Sequence, residues 1–412
     1  MERVGGVSIL ERVRALLGTE AVDLTAERDG VPRVAPPTID AVALLLGTAH
    51  AEGWRIRLEG AGTWMPGDGP ADLALTTRRL DQIVTIQPQD LMTTVEAGLG
   101  FDLLRNQLAD RGTWLGIDAP GAQGRTIGSI LATATAGPLR HGFGAVREHV
   151  LGLTVVTGDG RIIESGGRVV KNVAGYDLTK LQVGGFGAFG VIVLAHLRLR
   201  ALPRSDLTAV VEGSRDELAR VAGDVMAAGL EPAALELVSP ALARRERWTL
   251  AIRLAGSAAL VAEGEVGLRA ATEGRAAELR AEEAAAFWRH AAEGLTARAV
   301  TLRLGGVPSA TEELLDLIQH QLGDEWVMAT PSLGVMRWAG DATAERLRKF
   351  RKALAAIEVP LTLERAAWPL RSVVGHFGAY REGVGPLVSG LRKTFDPGER
   401  LVVAVSEEDH AG

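Results

Sequence analysis

Residues 171–192 read KNVAGYDLTKLQVGGFGAFGVI, and this stretch does most to decide the fold. Gly185, Gly187 and Gly190 match the GxGxxG spacing that is typical of dinucleotide-binding Rossmann domains. That motif needs a strand before its glycines and a helix after them. Here the residues before Gly184 have helical character, and the run VIVLAHLRL after Gly190 is predicted to be a strand. The order of elements excludes a Rossmann fold and leaves these glycines to another fold.

Two further segments bring glycines or other small residues close together. LEGAGTWMPGDG, residues 58–69, follows a predicted strand, and its glycines allow successive backbone N–H groups to turn inward toward an anion. The loop has no lysine, which excludes the phosphate loop of nucleotide hydrolases; the alternative is an ordinary strand-to-loop turn.

The second segment is APGAQGRTIGSILATATAGPLRHG, residues 119–142, which has small side chains at nearly every position. It predicts either a flat ligand lying against the backbone or a Gly/Ala helix packed tightly on a sheet.

The composition divides the chain into segments of different character. The central segment is rich in Gly, Thr and β-branched residues, and Asp159–Gly160 predicts the tight turn of a hairpin within it. The next is rich in Ala, Glu, Arg and Leu and repeats a strand–helix–strand pattern, which predicts a ferredoxin-like antiparallel sheet. The fold class is therefore α+β. The expected segments are an N-terminal helix (1–30), a ligand-binding domain (31–204), a cap domain (205–378) and a C-terminal tail that returns to the first domain (379–412).

Composition also excludes several classes of protein. The 412 residues include no cysteine, which rules out disulfides, cysteine-held zinc or iron–sulfur clusters and a thiol nucleophile. A formal net charge of −6 and an aromatic content of 4% give no footprint for nucleic acid. No run reaches the roughly 18 apolar residues of a membrane span, and charged residues interrupt the N-terminal apolar positions as in an amphipathic helix. We expect a cytoplasmic protein without a nucleic-acid partner or a membrane span.

Taken in this order, the segments resemble the FAD-binding oxidoreductases typified by vanillyl-alcohol oxidase, p-cresol methylhydroxylase and the D-2-hydroxyacid dehydrogenases. LEGAGTWMPG resembles the pyrophosphate loop of that family, and TIGSILATATAGPLRHG resembles its TIGG segment. KNVAGYDLTKLQVGGFGAFGVI resembles its KN-x-x-GYDLTKL signature, and GLRKTFDPG resembles its C-terminal segment. The resemblance is dense over residues 31–203 and extends to the cap only in architecture. It implies a two-part FAD-binding domain with a ferredoxin-like antiparallel-sheet cap.

The resemblance also implies which residues hold the cofactor. The loop after the first glycine segment would point N–H groups at the pyrophosphate, and the later residues would line the flavin. The implied cofactor-binding residues are Gly60, Ala61, Gly62, Thr63, Trp64, Pro120, Thr126, Gly128, Ser129, Thr133, Gly137, His141, Gly142, Gly187, Val191 and Ile192. A loop carrying Lys171, Asn172, Tyr176 and Asp177 is expected near them.

The chain departs from the family pattern at a few positions. Ser129 replaces the second glycine of TIGG, Gly185–Phe186 replaces the usual Ser–Glu or Ser–Leu, and the tail lacks a terminal NPG. The pyrophosphate loop contains no histidine, so His141 is the one candidate for covalent attachment in that region. We expect the FAD to be bound non-covalently.

The cap suggests which member of the family the chain resembles. Its histidines, His290, His320 and His376, are isolated in sequence, and the cap lacks the H-x-x-D-G-N-x-H motif of the members that oxidise lactate or glycolate alone. The chain resembles instead the E subunit of glycolate oxidase, which accompanies a second flavoprotein subunit and an iron–sulfur subunit. This resemblance implies an FAD-binding subunit that supports oxidation of a small 2-hydroxyacid such as glycolate within a hetero-complex.

Two alternatives stay open at this point. One is a self-sufficient FAD-dependent 2-hydroxyacid or alcohol dehydrogenase or oxidase, and the other is a non-catalytic structural subunit of the same fold. No catalytic residue and no metal site are assigned. Arg365 or Arg371 could bind a substrate carboxylate. His376 has no second histidine or nearby acid to orient it, so we expect it to be packed rather than catalytic.

Overall fold

The N-terminal domain begins with a small mixed sheet. The computed structural model describes residues 8–28, 30–65, 69–167, 178–377 and 383–403. The first sheet has the strand order β1-β2-β4-β3, with β1 antiparallel to β2 and the other pairs parallel. Its elements are α1 (Ile9–Leu17), β1 (Val22–Arg28), β2 (Val31–Val34), α2 (Ile39–Glu52), β3 (Ile56–Glu59) and β4 (Leu73–Thr76).

Local capping explains where the first helices start and stop. Ser8 and Glu11 form a reciprocal capping box at the start of α1. The hydroxyl of Thr38 accepts a hydrogen bond from the backbone N–H of Ala41, and α2 ends at Gly53, whose φ of 79° is left-handed. The buried side of α2 packs into one core with strands β3 and β4.

The second part of this domain is a five-stranded antiparallel sheet with the order β5-β6-β10-β8-β9. A separate two-stranded pair joins β7 to β11. Its strands are β5 (Ile83–Gln87), β6 (Met92–Glu96), β7 (Thr113–Trp114), β8 (Val150–Val156), β9 (Ile162–Gly166), β10 (Val191–Arg198) and β11 (Arg200–Ala201). Its helices are α3 (Phe101–Ala109), α4 (Ile127–Thr133), α5 (Arg140–Phe143) and α6 (Leu178–Gln182).

The cap is one eight-stranded antiparallel sheet with the order β15-β12-β14-β13-β17-β18-β16-β19. Its strands are β12 (Ser205–Gly213), β13 (Ala234–Val238), β14 (Trp248–Gly256), β15 (Ala277–Leu279), β16 (Val300–Gly305), β17 (Val327–Thr330), β18 (Val335–Gly340) and β19 (Leu361–Arg365). Its helices are α7 (Arg215–Ala227), α8 (Pro240–Ala243), α9 (Ala258–Ala271), α10 (Ala281–Gly294), α11 (Thr311–Gln321), α12 (Ala344–Ala356) and α13 (Trp368–Val374).

This order shows that the cap contains two successive β-α-β-β-α-β units. Each unit has the ferredoxin-like arrangement, and the pairing of β13 with β17 joins them edge to edge. Helices α7, α9, α11 and α12 share one core with alternate residues of the strands. Helices α8 and α10 pack on part of the opposite face, and residues elsewhere on that face contact the N-terminal domain.

The tail returns the chain to the first sheet. Helix α14 (Val384–Phe395) is followed by Asp396, whose carboxylate accepts hydrogen bonds from the backbone N–H groups of Arg400 and Leu401, both at 2.9 Å. Leu401 then forms a parallel bridge with Ile56 of β3.

The structure confirms the predicted fold class and the hairpin of β8 and β9. Helix α6 precedes the glycines of residues 185–190 and strand β10 follows them, so the exclusion of a Rossmann motif is also confirmed.

Sequence analysis missed β1, β17, β18 and α10. Strands β17 and β18 are buried on both faces, so they lack the polar–apolar alternation that marks a half-exposed strand. Among the described residues, no helix is long and apolar enough to cross a bilayer.

Candidate cofactor site

A cavity lies between the N-terminal domain and the end of the cap. Most of its wall comes from the loop after β3, from helix α4 and from the turn before β10. The cap adds Trp368, Arg371 and His376, and the tail adds Val402 and Val403. We call this space the cofactor cavity. It brings together segments that are more than 300 positions apart in the sequence.

Two positions of the loop after β3 strongly favour glycine. A Cβ atom on Gly60 would clash with Oγ1 of Thr126, and the carbonyl oxygen of Gly60 accepts a hydrogen bond from the hydroxyl of Thr76 at 2.6 Å. Gly62 has a left-handed φ of 71°, which disfavours any residue with a Cβ. The wall of the cavity at this point is therefore backbone, which can approach a ligand closely.

Helix α4 forms the second wall and explains the run of small residues. The hydroxyl of Thr126 accepts a hydrogen bond from the backbone N–H of Ser129 at 3.2 Å and so caps the helix. A Cβ on Gly128 would lie 2.9 Å from Cβ of Ala97 next to β6. The segment thus combines both sequence-based alternatives, because it is a small-residue helix packed on a sheet and also lines the cavity with Ser129 and Thr133.

Three buried charged residues lie beside the loop. Glu59 is bound by Arg33 at 2.6 Å and by Arg57 at 2.8 Å, and all three side chains are less than one-tenth exposed. Glu59 thus joins the two guanidinium groups at the base of the loop, and both Arg57 and Glu59 line the cavity. Sequence analysis missed this group, although the i, i+2 spacing of Arg57 and Glu59 on a strand was a usable signal.

Most of the residues implied by the family resemblance lie around this cavity. Those that line it are Gly60, Ala61, Gly62, Thr63, Trp64, Gly128, Ser129, Thr133, Gly187, Val191 and Ile192. The segment with Lys171, Asn172, Tyr176 and Asp177 lies outside the described residues.

The other five implied residues lie elsewhere and support the site from behind. Thr126 caps α4, and Pro120 accepts a hydrogen bond from Arg125 at 3.2 Å. Gly137 packs so closely on Asp118 that a Cβ would clash with it. The Nδ1–H of His141 donates to the carbonyl oxygen of Pro232 at 2.7 Å, and Gly142 also packs on the start of β13. These last two residues therefore hold the cap against the N-terminal domain.

His376 and Phe186 are two residues of the cavity wall to which sequence analysis gave no ligand role. The two rings are stacked with centroids 4.0 Å apart, and His376 is 4% exposed. The Nδ1–H of His376 donates to the carbonyl oxygen of Leu363 at 2.9 Å, which leaves Nε2 as a hydrogen-bond acceptor. Burial lowers the pKa of His376 to about 4, so the ring is neutral near pH 7. His376 is packed, as expected, and its place is in the wall of the cofactor cavity.

The arginines suggested as a carboxylate clamp have different surroundings. Arg365 donates to the carbonyl oxygen of Trp64 at 3.1 Å and also to that of Arg298, so it ties the loop after β3 to the cap. Arg371 lines the cavity and lies over the ring of Trp368. Arg371 is therefore the better placed of the two for binding a substrate carboxylate, because Arg365 is not among the residues that line the cavity.

Trp64 separates the cavity from a buried polar network between the domains. Its Nε1–H donates to the backbone oxygen of Glu364 at 3.1 Å, and the guanidinium of Arg125 lies 4.0 Å from the ring centroid. Arg125 is 1% exposed and also donates to Ser129 and Thr133. In the described part of the chain, no cluster of three His, Asp or Glu side chains could hold a metal ion.

One member of this network predicts an unusual dependence of stability on pH. Glu236 is buried, and its Oε1 accepts a hydrogen bond from Thr330 at 2.7 Å. Burial, together with the nearby Asp118, raises its pKa to about 8. The folded chain thus holds a proton that the unfolded chain releases above its ordinary pKa of 4.5. Stability from this group is complete below about pH 4.5 and is lost as the pH rises to about 8.

We expect Glu236→Gln to raise the free energy of unfolding at pH 8.5, on the order of a few kcal/mol, and to give no such gain at pH 4.5. Glutamine resembles the protonated acid but cannot ionise. Urea unfolding at the two pH values measures the effect, and Glu313→Gln, at an exposed position of α11, is the control. A gain of equal size at both pH values would show that ionisation of Glu236 is not its cause.

Several known proteins are similar to this chain in sequence. The family described as FAD binding domain matches residues 32–166. The probable mitochondrial D-lactate dehydrogenase of Danio rerio is 35% identical over 212 residues, which are 50% of this chain and 42% of that protein. Glycolate oxidase subunit GlcE of Escherichia coli is 36% identical over 127 residues, 31% of this chain and 36% of that protein. Subunit GlcD of Bacillus subtilis is 31% identical over 224 residues, 52% of this chain and 47% of that protein.

The overall fold has a counterpart among solved structures. A structure of alkyldihydroxyacetonephosphate synthase superposes with a TM-score of 0.66 and covers 90% of this chain and 76% of that chain. Its sequence identity of 16% means that the likeness concerns the fold alone.

The fold and the site together define a two-part FAD-binding domain with an antiparallel-sheet cap, the architecture of the vanillyl-alcohol oxidase and p-cresol methylhydroxylase type. Residues 32–166 thus form an FAD-binding domain, the chain is similar in sequence to D-lactate dehydrogenases and glycolate oxidase subunits, and its cofactor is FAD. The aligned part of the chain spans less than half the length of each of these relatives.

Proposed function

We propose that this chain is an FAD-binding oxidoreductase subunit that supports oxidation of a small 2-hydroxyacid, such as glycolate, within a hetero-complex. Its partners would be a second flavoprotein subunit and an iron–sulfur subunit, and the complex would be cytoplasmic. The observation that carries the proposal is the glycine-walled cofactor cavity, which both domains complete. The likeness to two glycolate oxidase subunits supports the substrate class.

The residues of the cavity are suited to hold FAD. The backbone of Gly60–Thr63 would bind the diphosphate, and the guanidinium of Arg57 lies in the same wall of the cavity. Ser129, Thr133 and Gly187 leave room for the rest of the cofactor. When bound, FAD supplies the acceptor for a hydride from the hydroxyl-bearing carbon. The chain's own residues would bind and orient the cofactor, and Trp368, Arg371 and His376 of the cap would complete the wall around it.

The properties of His376 support a role for a partner in catalysis. A base that takes a hydroxyl proton works best with a pKa near the working pH. Burial holds the pKa of His376 at about 4, and a backbone carbonyl rather than a carboxylate orients its ring. This side chain is a poor base, so we place the main substrate chemistry in the partner flavoprotein. The self-sufficient enzyme is the second candidate, because His376 is among the residues that line the cavity.

We expect the FAD to be released when the purified protein is precipitated with acid. The chain has no cysteine, and His141 is held by Pro232 outside the cavity lining. Absorbance of the supernatant and of the redissolved pellet measures the distribution of flavin. Yellow colour that stays with the polypeptide would contradict non-covalent binding, and in that case His376→Ala would test the one histidine among the residues that line the cavity.

We expect the purified chain alone to reduce an artificial acceptor slowly with glycolate or D-lactate, and faster when its partners are present. The reason is the absence of a good base among the described residues of the cavity wall. Steady-state dye reduction with and without co-expressed partners measures this. A turnover on the order of ten per second for the isolated chain, an ordinary enzyme rate, would contradict the subunit proposal and favour the self-sufficient enzyme. Absence of flavin would favour a structural subunit.

A further inference from the structure

Two aromatic side chains meet across the boundary between the N-terminal domain and the cap. Phe186 belongs to the turn before β10, and His376 follows α13 at the end of the cap. Their rings are stacked with an interplanar angle of 27° and a centroid distance of 4.0 Å. Both residues line the cofactor cavity. A contact between the two domains therefore forms part of the wall around the cofactor.

The cap holds His376 in place through its backbone and its ring. The backbone N–H of Leu363 in β19 donates to the carbonyl oxygen of His376 at 2.7 Å, and the Nδ1–H of His376 donates back to that of Leu363 at 2.9 Å. Arg351 of α12 donates to the carbonyl oxygens of Val374 and Gly375, the two residues before it. A strand and a helix of the cap therefore set the position of this ring.

The N-terminal domain holds the backbone of Phe186. Its N–H donates to the carbonyl oxygen of Ala132 at 2.8 Å, and the N–H of Gly184 donates to that of Leu131 at 3.0 Å, both in α4. The φ of Phe186 is 51°, a left-handed conformation that residues with a Cβ keep only where surrounding contacts enforce it. The ring also meets that of Phe377 edge-on at 5.5 Å. Because this ring is a hydrocarbon without hydrogen bonds, it can rotate while the bonds of its backbone stay intact.

Further contacts between the cap and the wall of the cavity are of a different kind. The Nε1–H of Trp64 donates to a backbone oxygen of β19, and Arg365 donates to the backbone oxygen of Trp64. Gly69 lies so close to Trp368 that a Cβ would be 2.6 Å from its ring. Opening the wall at these contacts would break hydrogen bonds or displace backbone. Opening it at Phe186 requires only the rotation of one side chain and the loss of its ring contacts.

We propose that Phe186 and His376 form an aromatic gate through which FAD enters and leaves the cofactor cavity. Closure by a movable element is a common way to hold a bound group in its site. A gate that closes both with and without the cofactor slows entry and release by the same factor and leaves the affinity unchanged. This inference goes beyond the proposed function, because it concerns exchange of the cofactor and needs no assignment of the substrate.

The experiment measures both rate constants of FAD exchange. Rapid mixing of the apoprotein with FAD, followed by flavin fluorescence, gives the association rate constant. Mixing of the FAD-loaded chain with an excess of a phosphodiesterase that cleaves free FAD, followed by the rise in fluorescence on cleavage, gives the dissociation rate constant. Neither measurement uses a substrate, so a failure of the proposed oxidation would not affect the result.

We expect Phe186→Leu to raise both rate constants by roughly two- to tenfold, because it removes the stacked pair without adding a branch at Cβ. His376→Asn should have the same effect, since its amide N–H can still donate to Leu363 but the ring is gone. The double variant should be no faster than either single variant, because both remove the same contact. Phe287→Leu, at a buried phenylalanine of α10 outside the cavity lining, is the control and should leave both rate constants unchanged.

The pattern of the two rate constants decides between a gate and a binding contact. A rise in the dissociation rate constant alone would show that the rings bind the cofactor and do not gate it, which would overturn the proposal. Unchanged rate constants in Phe186→Leu and His376→Asn would overturn it as well.

A cross-link tests the gate in the opposite direction. The chain has no cysteine, so Phe186→Cys combined with His376→Cys introduces the only two thiols. A short bis-maleimide that joins them should trap FAD in the loaded protein and keep it out of the apoprotein. The same double variant without the cross-linker is the control and should exchange FAD freely. Equal exchange with and without the cross-link would contradict a gate at this place.

Discussion

We expect Gly62→Val to lose FAD. Gly62 lies in the wall of the cofactor cavity with a φ of 71°, and a β-branched residue in this left-handed conformation costs about 1–3 kcal/mol. The added side chain would also keep the backbone N–H groups of the loop from approaching the diphosphate. Together these effects correspond to a loss of affinity of roughly a hundredfold or more. The flavin-to-protein ratio after purification and titration of the apoprotein with FAD measure the loss.

Gly274→Val is the matched control for this variant. Gly274 has a φ of 76°, and no atom outside its own turn lies within 4 Å of the position of a Cβ. The substitution carries the same backbone penalty in the cap, away from the cavity. It should lower stability but keep the flavin. Full FAD occupancy in Gly62→Val would show that this loop does not hold the diphosphate.

We expect Glu364→Gln to be strongly destabilising. The carboxylate of Glu364 is the shared partner of Arg303 and Arg337, and its ion pairs with nearby arginines hold its pKa low in spite of its burial. A neutral amide would leave two guanidinium groups without a counter-charge in the interior. Breaking a buried ion pair in this way costs about 3–5 kcal/mol. Urea unfolding of the FAD-loaded chain measures the change in the free energy of unfolding.

A surface ion pair gives the comparison for this prediction. Glu265 and Arg269 form an i, i+4 pair on α9 at 3.2 Å, and both side chains are well exposed. Glu265→Gln should change the free energy of unfolding by less than about 0.5 kcal/mol. If the two variants are equally stable, the carboxylate of Glu364 does not balance the arginines of the cap.

The sequence by itself determined the N-terminal half of the site. Glycines 60, 62 and 187 and the small residues of α4 satisfy local demands of backbone conformation and close packing. Such demands can be recognised from the residue types at those positions. The order of helix, glycines and strand around residues 185–191 excluded the Rossmann fold for the same reason. The strand–helix–strand repeats of the cap also show in the sequence, because each half-exposed element has its own period.

The tertiary structure alone decided what the cap contributes. His376 had no visible partner in the sequence because its neighbours are Phe186 and Leu363, which other strands and turns bring to it. The hydrogen bond of His141 to Pro232, which is 91 positions away, also has no signal in the sequence.

The buried charged group of the cap likewise depends on contacts between distant parts of the chain. Arg303, Arg337 and Glu364 are ordinary charged residues in the sequence, and nothing in their spacing marks them as a group. They form a group only when β16 pairs with β18 and β19, since pairing in a sheet joins residues regardless of their separation along the chain. Local sequence determines the conformation of a segment, and the packed structure determines which charged side chains lie close enough to interact.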